Sequence, residues 1–290
     1  MTTNDQRYPS YPRVLSIAGS DSGGGAGIQA DLKTFAALGC YGMTAITALT
    51  AQNTRGVGAI QEVTPAFLKA QIQAVVEDIG VDAVKLGMLP TPEIVEVVAW
   101  AVDHYRLPNV VLDTVMVASS GQRLTAADAA IALVRALFPR CTLVTPNLDE
   151  AALLIGRAID GADAMEGAAA ELLALGARAV LLKGGHLRGD ALVDVLVDVL
   201  VEEGAGPRRY VSPRIASRNL HGTGCTLSSA VAANLALGHA LAEAVERARA
   251  YVQGAIAAGA DVVTGRGSHG PLNHGFAPVP MHRLQAMPVR

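Results

Sequence analysis

Charged residues, aromatic residues and cysteines are all scarce in this sequence, and each shortage excludes a class of protein. Charged residues make up 17% of the 290 positions and aromatic residues 4%, whereas an average soluble protein carries about 25% charged residues. Hydrophobic residues account for 51%, so the chain has ample apolar material for a core. This composition excludes intrinsic disorder.

The chain also lacks an excess of positive charge. Its 23 Lys and Arg residues stand against 26 Asp and Glu residues, which gives a net charge of −3. A protein that binds nucleic acid or an anionic membrane through electrostatics is normally basic. We therefore expect small-molecule partners, with no nucleic acid and no membrane.

Long hydrophobic runs are absent as well. The longest uncharged stretch that resembles a membrane span, residues 34–54, is interrupted by glycines, threonines, a glutamine and an asparagine, so it reads as a helix end, a turn and a buried strand. The first residues contain no apolar run of the kind found in signal peptides. These features predict a cytoplasmic protein.

The three cysteines, Cys40, Cys141 and Cys225, are an odd number and lie far apart. This pattern is wrong for a disulfide framework or a CxxC zinc site. Each cysteine must therefore be judged by its own surroundings.

Strands alternate with helices along the chain. Apolar runs typical of buried strands occur over residues 13–19, 43–49, 83–86, 110–112, 143–145 and 179–182, and helical stretches follow most of them. Such alternation implies parallel βαβ units, and the predicted fold class is α/β, a three-layer αβα architecture around a central, mostly parallel sheet. Residues 191–201 suit a strand or a helix, and we favour a strand.

No linker or internal repeat divides the chain, which favours a single domain. We predict this domain over residues 13–280, with a flexible N-terminal tail over residues 1–12 and a C-terminal tail over residues 281–290.

The first candidate site is the glycine-rich segment GSDSGGGAG, residues 19–27, between a strand and a helix. It is either a ligand loop, where backbone amides and a helix dipole meet an anion, or an ordinary turn. Residues 25–30 fit GxGxxA, but no acidic residue occurs between Asp31 and Glu62, which argues against a dinucleotide site. Asp31 is either a surface charge or a carboxylate that reaches the cleft.

The second candidate is the segment HGTGCT, residues 221–226, before an alanine-rich helix. The amides of Gly222, Thr223 and Gly224 can form an anion hole that stabilises charge on a transferring phosphoryl group. Cys225 lies in the first helical turn, where a thiol pKa of about 8.5 can fall by several units. The alternative is a small buried hydrophobic residue, and the context favours a functional cysteine.

Three further strand ends carry polar residues. In the segment TPNLDE, residues 145–150, Asn147 and Glu150 suit Mg²⁺ coordination, directly or through water, or simply an ordinary helix start. Lys183 can meet an anionic ligand or remain a solvated lysine, and Asp113 ends another strand.

All these strand ends belong to one predicted parallel sheet, in which the carboxyl ends of strands face one crevice. A lysine, an anion hole, a base and a Mg²⁺ carboxylate are the parts of a phosphoryl-transfer site. The P-loop pattern GxxxxGK[ST] is missing, so the enzyme would not be a P-loop NTPase.

Seven segments together resemble the ribokinase-like superfamily, and more closely the hydroxymethylpyrimidine/phosphomethylpyrimidine kinases. The resemblance covers about residues 13–276 and is carried by residues 18–34, 51–54, 85–89, 111–116, 145–150, 182–186 and 221–226. It implies ATP-dependent phosphorylation of the pyrimidine's hydroxymethyl group and then of the monophosphate, for thiamine biosynthesis. It also implies a homodimer.

The resemblance assigns roles by position. The pyrimidine pocket would be lined by Gly19, Asp31, Gln52 and Met88. The anion hole would be formed by Gly222, Thr223, Gly224 and Cys225, with Cys225 as the base. Lys183 would contact the ATP phosphates, assisted by Thr223, and Mg²⁺ with its waters would be organised by Asp113, Asn147 and Glu150.

Several alternatives stay open. Pyridoxal kinases with a cysteine at this position are the nearest rival, although Gln52 favours the pyrimidine. Ser119 stands where many relatives have Lys, which bears on nucleotide affinity. A thiol enzyme that uses Cys225 with His221 as its base, and a non-catalytic nucleotide- or vitamin-binding protein, belong to other classes.

Overall fold

The computed structural model describes residues 9–116, 127–184 and 195–285 of the chain. Within them, the strands are β1 (Arg13–Asp21), β2 (Tyr41–Asn53), β3 (Gly56–Glu62), β4 (Ala83–Leu86), β5 (Val110–Leu112), β6 (Leu143–Val144), β7 (Ala179–Lys183), β8 (Val195–Glu202) and β9 (Arg208–Pro213). The α-helices are α1 (Gly27–Ala37), α2 (Pro65–Asp78), α3 (Pro92–Tyr105), α4 (Ala127–Leu137), α5 (Leu148–Ile155), α6 (Met165–Ala174), α7 (Thr223–Ala236) and α8 (Leu241–Ala258).

The strands form one sheet in the order β3-β2-β1-β4-β5-β6-β7-β8-β9. Strands β2, β1, β4, β5, β6 and β7 run parallel, whereas β3, β8 and β9 pair antiparallel with their neighbours. The mostly parallel sheet predicted from the alternation is thereby confirmed. The strand favoured for residues 191–201 is also present over the described residues, as β8.

Two apolar cores lie on opposite faces of the sheet. Because successive side chains of a strand point to opposite faces, Leu15 and Ile17 of β1 pack against the layer of α2 to α6, while Val14 packs against α1, α7 and α8. This arrangement is the predicted three-layer αβα architecture.

Helix α7 is the central helix of its layer. It is buried continuously from Thr226 to Ala236, and its small alanine and serine side chains allow α1, α8 and the sheet to approach closely. Burial on all sides holds its N-terminus rigidly at the carboxyl edge of the sheet, where the candidate site lies.

The order of the strands reverses between β1 and β4, because the chain builds outward from β1 to one side and then returns to add β4 on the other. Such a switch point opens a crevice at the carboxyl ends of the two strands, and ligands bind there in open α/β sheets. The topology therefore places a crevice beside Gly19, near the end of β1.

The described parts of the two predicted tails are hydrogen bonded to the body of the protein and to each other. The Leu284 N–H donates to the Ser10 carbonyl at 2.7 Å, the Tyr41 N–H to the Pro12 carbonyl at 2.8 Å, and the His282 N–H to the Gly39 carbonyl at 2.8 Å. These bonds connect Ser10 and Pro12 to the rest of the described chain, and the flexible tails stay a prediction. None of the described helices is both long and apolar enough to span a membrane.

Candidate active site

The sequence-predicted residues converge at the carboxyl edge of the sheet. Gly19 and Met88 flank the switch point, and a Cβ atom built on Gly19 would lie 3.0 Å from the Met88 sulfur. The Met88 carbonyl accepts a hydrogen bond from the Thr47 hydroxyl at 2.7 Å, which ties the segment after β4 to β2. Gly19, Met88 and β2 therefore line one wall of the crevice.

The glycine-rich loop is organised by a residue that the sequence did not single out. The Asp21 carboxylate accepts hydrogen bonds from the backbone N–H groups of Gly23 (2.8 Å), Gly25 (3.1 Å) and Ala26 (2.9 Å). These amides point at Asp21 rather than at a ligand, so the loop is not the anion cradle that was one of its two interpretations. An aspartate that starts a glycine-rich turn is the local signal that predicts such bonding.

Asp21 also joins this loop to the HGTGCT segment. The His221 Nε2 atom lies 2.9 Å from the Asp21 carboxylate. Burial opposes ionisation of Asp21, but the hydrogen bonds from His221 and the loop amides outweigh burial and lower the pKa of this carboxyl. We call this arrangement the Asp21 clasp.

Two glycines are required where the two loops meet. Gly222 has a φ of +87°, in the left-handed region that favours glycine, and a Cβ atom there would overlap the Gly25 carbonyl oxygen. A Cβ atom on Gly25 would lie 2.6 Å from the His221 ring. Larger side chains at either position would push the two loops apart.

The N-terminus of α7 presents part of the predicted anion hole. The Thr223 N–H and hydroxyl both donate to the Leu220 carbonyl, at 3.2 and 2.7 Å, so this amide is engaged. The backbone N–H groups of Gly224 and Cys225 have no hydrogen-bond acceptor among the described residues. They are the amides in this turn that can bind an anion.

The Cys225 thiol lies where the N-termini of α1 and α7 meet, close to the Gly27 backbone N–H. The expected fall in its pKa is wrong for this structure. Burial raises the pKa of Cys225 to about 11, helped by the negative charges of Asp113 and Asp31, and the opposing Lys85 charge and Gly27 N–H do not compensate. The thiol is therefore protonated at neutral pH.

Asp31 does not line the crevice. It is fully buried, and its carboxylate oxygens accept hydrogen bonds from the hydroxyls of Ser16 and Ser229, each at 2.6 Å, and from Lys85 at 3.0 Å. The predicted contact with a pyrimidine does not fit this geometry, because its oxygens are already bonded inside the protein.

Lys85 is equally buried, with its side chain wholly inaccessible to solvent. Burial by itself would lower its pKa, but the nearby acidic groups, Asp31 first and then Cys225 and Asp113, together outweigh burial and raise the pKa of Lys85. The Lys85 ammonium therefore lies beneath the site near Cys225, whereas burial raises the pKa of its partner Asp31 despite the opposing Lys85 charge and the hydroxyl donors.

Lys183 and Asp113 lie on the other side of the α7 N-terminus. The Lys183 ammonium donates to the Asp113 carboxylate at 3.0 Å, and a Cβ atom built on Gly224 would lie 3.4 Å from the same ammonium. Burial opposes the charge of each group, but nearby opposite charges together outweigh it. Lys183 and Lys85 lower the pKa of Asp113, and Asp113 and Glu150 raise that of Lys183. A cation thus stands beside the anion-binding amides.

Asn147 and Glu150 form a capping box at the start of α5. The Asn147 side-chain oxygen accepts from the Glu150 N–H, and the Glu150 carboxylate accepts from the Asn147 N–H, both at 2.9 Å. The Thr114 hydroxyl donates to the same Glu150 oxygen at 2.9 Å. The segment is therefore a helix start, one of its two predicted interpretations, and the cap occupies the Asn147 side-chain oxygen.

Glu150 lies close to both Asp113 and Lys183. Burial raises its pKa, and the charge of Asp113 adds to this rise against the opposing Lys183. Two buried carboxylates therefore share one lysine. Among the described residues, no three His, Cys, Asp or Glu side chains come together as a metal cage. The pair fits Mg²⁺ of the kind that binds one or two carboxylates, substrate phosphates and water.

The side-chain amide of Gln52 lies beside the His221 ring. Its Nε2 lies 3.4 Å from the His221 Nε2, and Asp21 lies closer to the same ring nitrogen, at 2.9 Å. Because a carboxylate only accepts hydrogen bonds, the His221 Nε2 carries a proton and cannot accept one from Gln52. The Gln52 amide therefore remains able to donate to a ligand.

The other predicted positions lie elsewhere. Cys40 and Cys141 are buried in the two apolar cores. Ser119 and residues 185–186 lie outside the described residues.

A lysine, two open amides at a helix N-terminus and two buried carboxylates lie along the carboxyl edge of an α/β sheet, an arrangement typical of a phosphotransferase that acts on small molecules. A sequence model of the family described as phosphomethylpyrimidine kinase matches residues 21–273. The chain belongs to this family, as its motifs indicate.

Relatives and solved structures agree with this placement. A hydroxymethylpyrimidine/phosphomethylpyrimidine kinase of Rhizobium meliloti is 51% identical over 264 residues, which cover 90% of this chain and 96% of that protein. The thiamine biosynthesis bifunctional protein ThiED of Geobacter sulfurreducens is 52% identical over 92% of this chain, which spans 54% of that longer protein. A crystal structure of an ADP complex of Bacillus subtilis pyridoxal kinase is 38% identical, with a TM-score of 0.82 over 92% of this chain and 98% of that one.

Proposed function

We propose that this chain uses Mg²⁺ and ATP to phosphorylate 4-amino-5-hydroxymethyl-2-methylpyrimidine, and then phosphorylates the resulting monophosphate to the diphosphate. The kinase activity in thiamine biosynthesis, predicted from the motifs, is confirmed by the family match and the curated relatives. The observation that carries the proposal is the meeting of Lys183, Asp113, Gly224 and Cys225 at one helix N-terminus.

The pyrimidine would bind in the crevice between Gly19, Met88 and Gln52. The Gln52 amide can donate to a ring nitrogen, and the Met88 side chain offers an adaptable apolar wall. A larger residue at position 19 would crowd this crevice, because its Cβ atom would lie only 3.0 Å from the Met88 sulfur.

The phosphates of ATP would lie across the N-terminus of α7. Lys183 would contact them as a cation, and the Gly224 and Cys225 amides would stabilise the charge that develops on the transferring group. Asp113 and Glu150 would hold Mg²⁺, which, when bound, neutralises negative charge on the phosphates.

Cys225 would take the proton of the hydroxymethyl group. A pKa of about 11 leaves only about one thiolate in ten thousand at pH 7. The base therefore acts from a small ionised fraction, which the nearby Lys85 charge increases. The proton moves from the substrate hydroxyl to the Cys225 sulfur as the new P–O bond forms and the bond to ADP breaks.

The second candidate function is that of a pyridoxal kinase, which the similarity to the Bacillus subtilis pyridoxal kinase supports. The test is to incubate the protein with Mg²⁺, ATP and either hydroxymethylpyrimidine or pyridoxal, and to follow product masses. Mono- and diphosphate from the pyrimidine support the proposal, and phosphate on pyridoxal alone contradicts it. No product from either substrate would favour the thiol or binding hypotheses.

The homodimer and the cytoplasmic location stay predictions. Light scattering coupled to size-exclusion chromatography tests the first, since a dimer has twice the 29.9 kDa mass of the chain. Cell fractionation tests the second.

A further inference from the structure

A shielded ion pair lies outside the site, between α8 and the antiparallel edge of the sheet. The Arg249 Nε atom donates to the Asp198 carboxylate at 2.8 Å, and the two side chains are only 11% and 14% exposed. Withdrawing two charges from water is costly, and such pairs are often no more stable than apolar replacements. Stability alone therefore explains this pair poorly.

The second oxygen of Asp198 reaches the turn that follows Lys183. It accepts a hydrogen bond from the Gly184 backbone N–H at 3.0 Å, and Asp198 on β8 is the register partner of Lys183 on β7. One carboxylate thus holds the backbone immediately after the lysine that faces the anion-binding amides.

Arg249 in turn holds Asp198 in place. Its second arm donates to the Ser212 hydroxyl at 2.9 Å and to the Tyr210 carbonyl at 3.3 Å, both on β9. A planar guanidinium with several fixed bonds has little freedom to move. Contacts therefore run from α8 and β9 through Asp198 to Gly184, and we call them the Asp198 tether.

We propose that Asp198 and Arg249 are positioning residues that hold Lys183 against the phosphates of ATP. This inference rests on the proposed function of Lys183. The tether acts on the nucleotide side, whereas Gly19, Gln52 and Met88 lie on the other side of α7. Its loss should raise KM for ATP and leave KM for the pyrimidine unchanged.

The test compares Arg249→Ala with Arg247→Ala. Arg247 lies on the same helix and pairs with Glu243 at 2.8 Å in an exposed position, so it controls for the loss of an arginine. We expect KM for ATP to rise about tenfold in Arg249→Ala, the scale of one lost charge-assisted hydrogen bond, with KM for the pyrimidine within twofold. Arg247→Ala should match the wild type in both values.

Arg249→Lys keeps the charge but cannot reproduce the fork, so its KM for ATP should lie between those of the wild type and Arg249→Ala. A folded Arg249→Ala protein with unchanged KM for ATP, or with equal rises in both KM values, would overturn the proposal. If Arg249→Ala does not fold, an unchanged KM for ATP in Arg249→Lys would overturn the proposal instead.

Calorimetric titration with ADP separates this inference from the proposed function. A wild-type chain that phosphorylates neither hydroxymethylpyrimidine nor its monophosphate contradicts the proposed function. Weaker ADP binding by Arg249→Ala would still support the tether, and equal ADP binding would contradict it.

Discussion

The Asp21 clasp gives the sharpest prediction, because one carboxylate serves four hydrogen-bond donors. Replacing Asp21 by Ala leaves three loop amides and the His221 ring without their acceptor. A hydrogen bond to a charged group contributes roughly 1.5–3 kcal/mol, but water can reach the partly exposed Gly23 and Ala26 amides. We therefore expect Asp21→Ala to lower the free energy of unfolding by about 3 kcal/mol.

Asp21→Asn should lower the free energy of unfolding less than Asp21→Ala does. Its single oxygen can replace the Asp21 Oδ2 atom, which serves Gly25, Ala26 and His221, but its NH₂ group then faces the Gly23 N–H. Urea denaturation followed by circular dichroism gives the unfolding free energies. Asp78→Ala, which removes an exposed carboxylate on α2, is the matched control and should lie within about 0.5 kcal/mol of wild type.

Activity should fall with stability, since the clasp aligns both loops of the site. A displacement of about 1 Å in a reacting group can lower the rate by about 10², so kcat of folded Asp21→Ala should fall on that scale. Because the pKa of Asp21 is lowered in the folded protein, its stabilising effect is complete above about pH 4 and is lost as the pH falls through the lowered pKa. Wild-type stability and kcat in Asp21→Ala would refute this reasoning.

Three further predictions concern the site. Cys225→Ala should lower kcat by about 10²–10⁴ with pyrimidine binding retained. The rate of the wild type should rise about tenfold per pH unit above pH 7, towards the Cys225 pKa of about 11. A flat pH–rate profile, or a normal rate in the variant, would show that Cys225 only packs against its neighbours. Gln52→Met should raise KM for the pyrimidine and shift selectivity towards pyridoxal, measured as the ratio of kcat/KM values; an unchanged ratio removes Gln52 as the discriminator. Lys85→Met should destabilise the protein by about 3–5 kcal/mol in urea melts, because it leaves Asp31 buried without its cation; a change below about 1 kcal/mol would contradict a stabilising Asp31–Lys85 pair.

Local sequence patterns predicted most of the fold. The apolar runs of β4 and β5 coincide with the observed Ala83–Leu86 and Val110–Leu112, since strands buried on both faces consist almost entirely of apolar residues. Parallel strands then bring their carboxyl ends to one edge, which is why the site could be located before its geometry was known. Strands β3 and β9 escaped prediction because their residues are largely exposed and form no apolar run.

The sequence by itself therefore determined the order of strands and helices, the edge of the sheet that carries the site, and the family. Tertiary structure alone decided which polar groups meet. Asp21 and His221 are 200 positions apart, and no local pattern links them. The surroundings also reversed two expectations: Asp31 is enclosed by Ser16, Lys85 and Ser229, and the Cys225 pKa rises because burial and nearby carboxylates outweigh one lysine. Burial and long-range charge are sums over the whole fold, so neither can be read from neighbours in the chain.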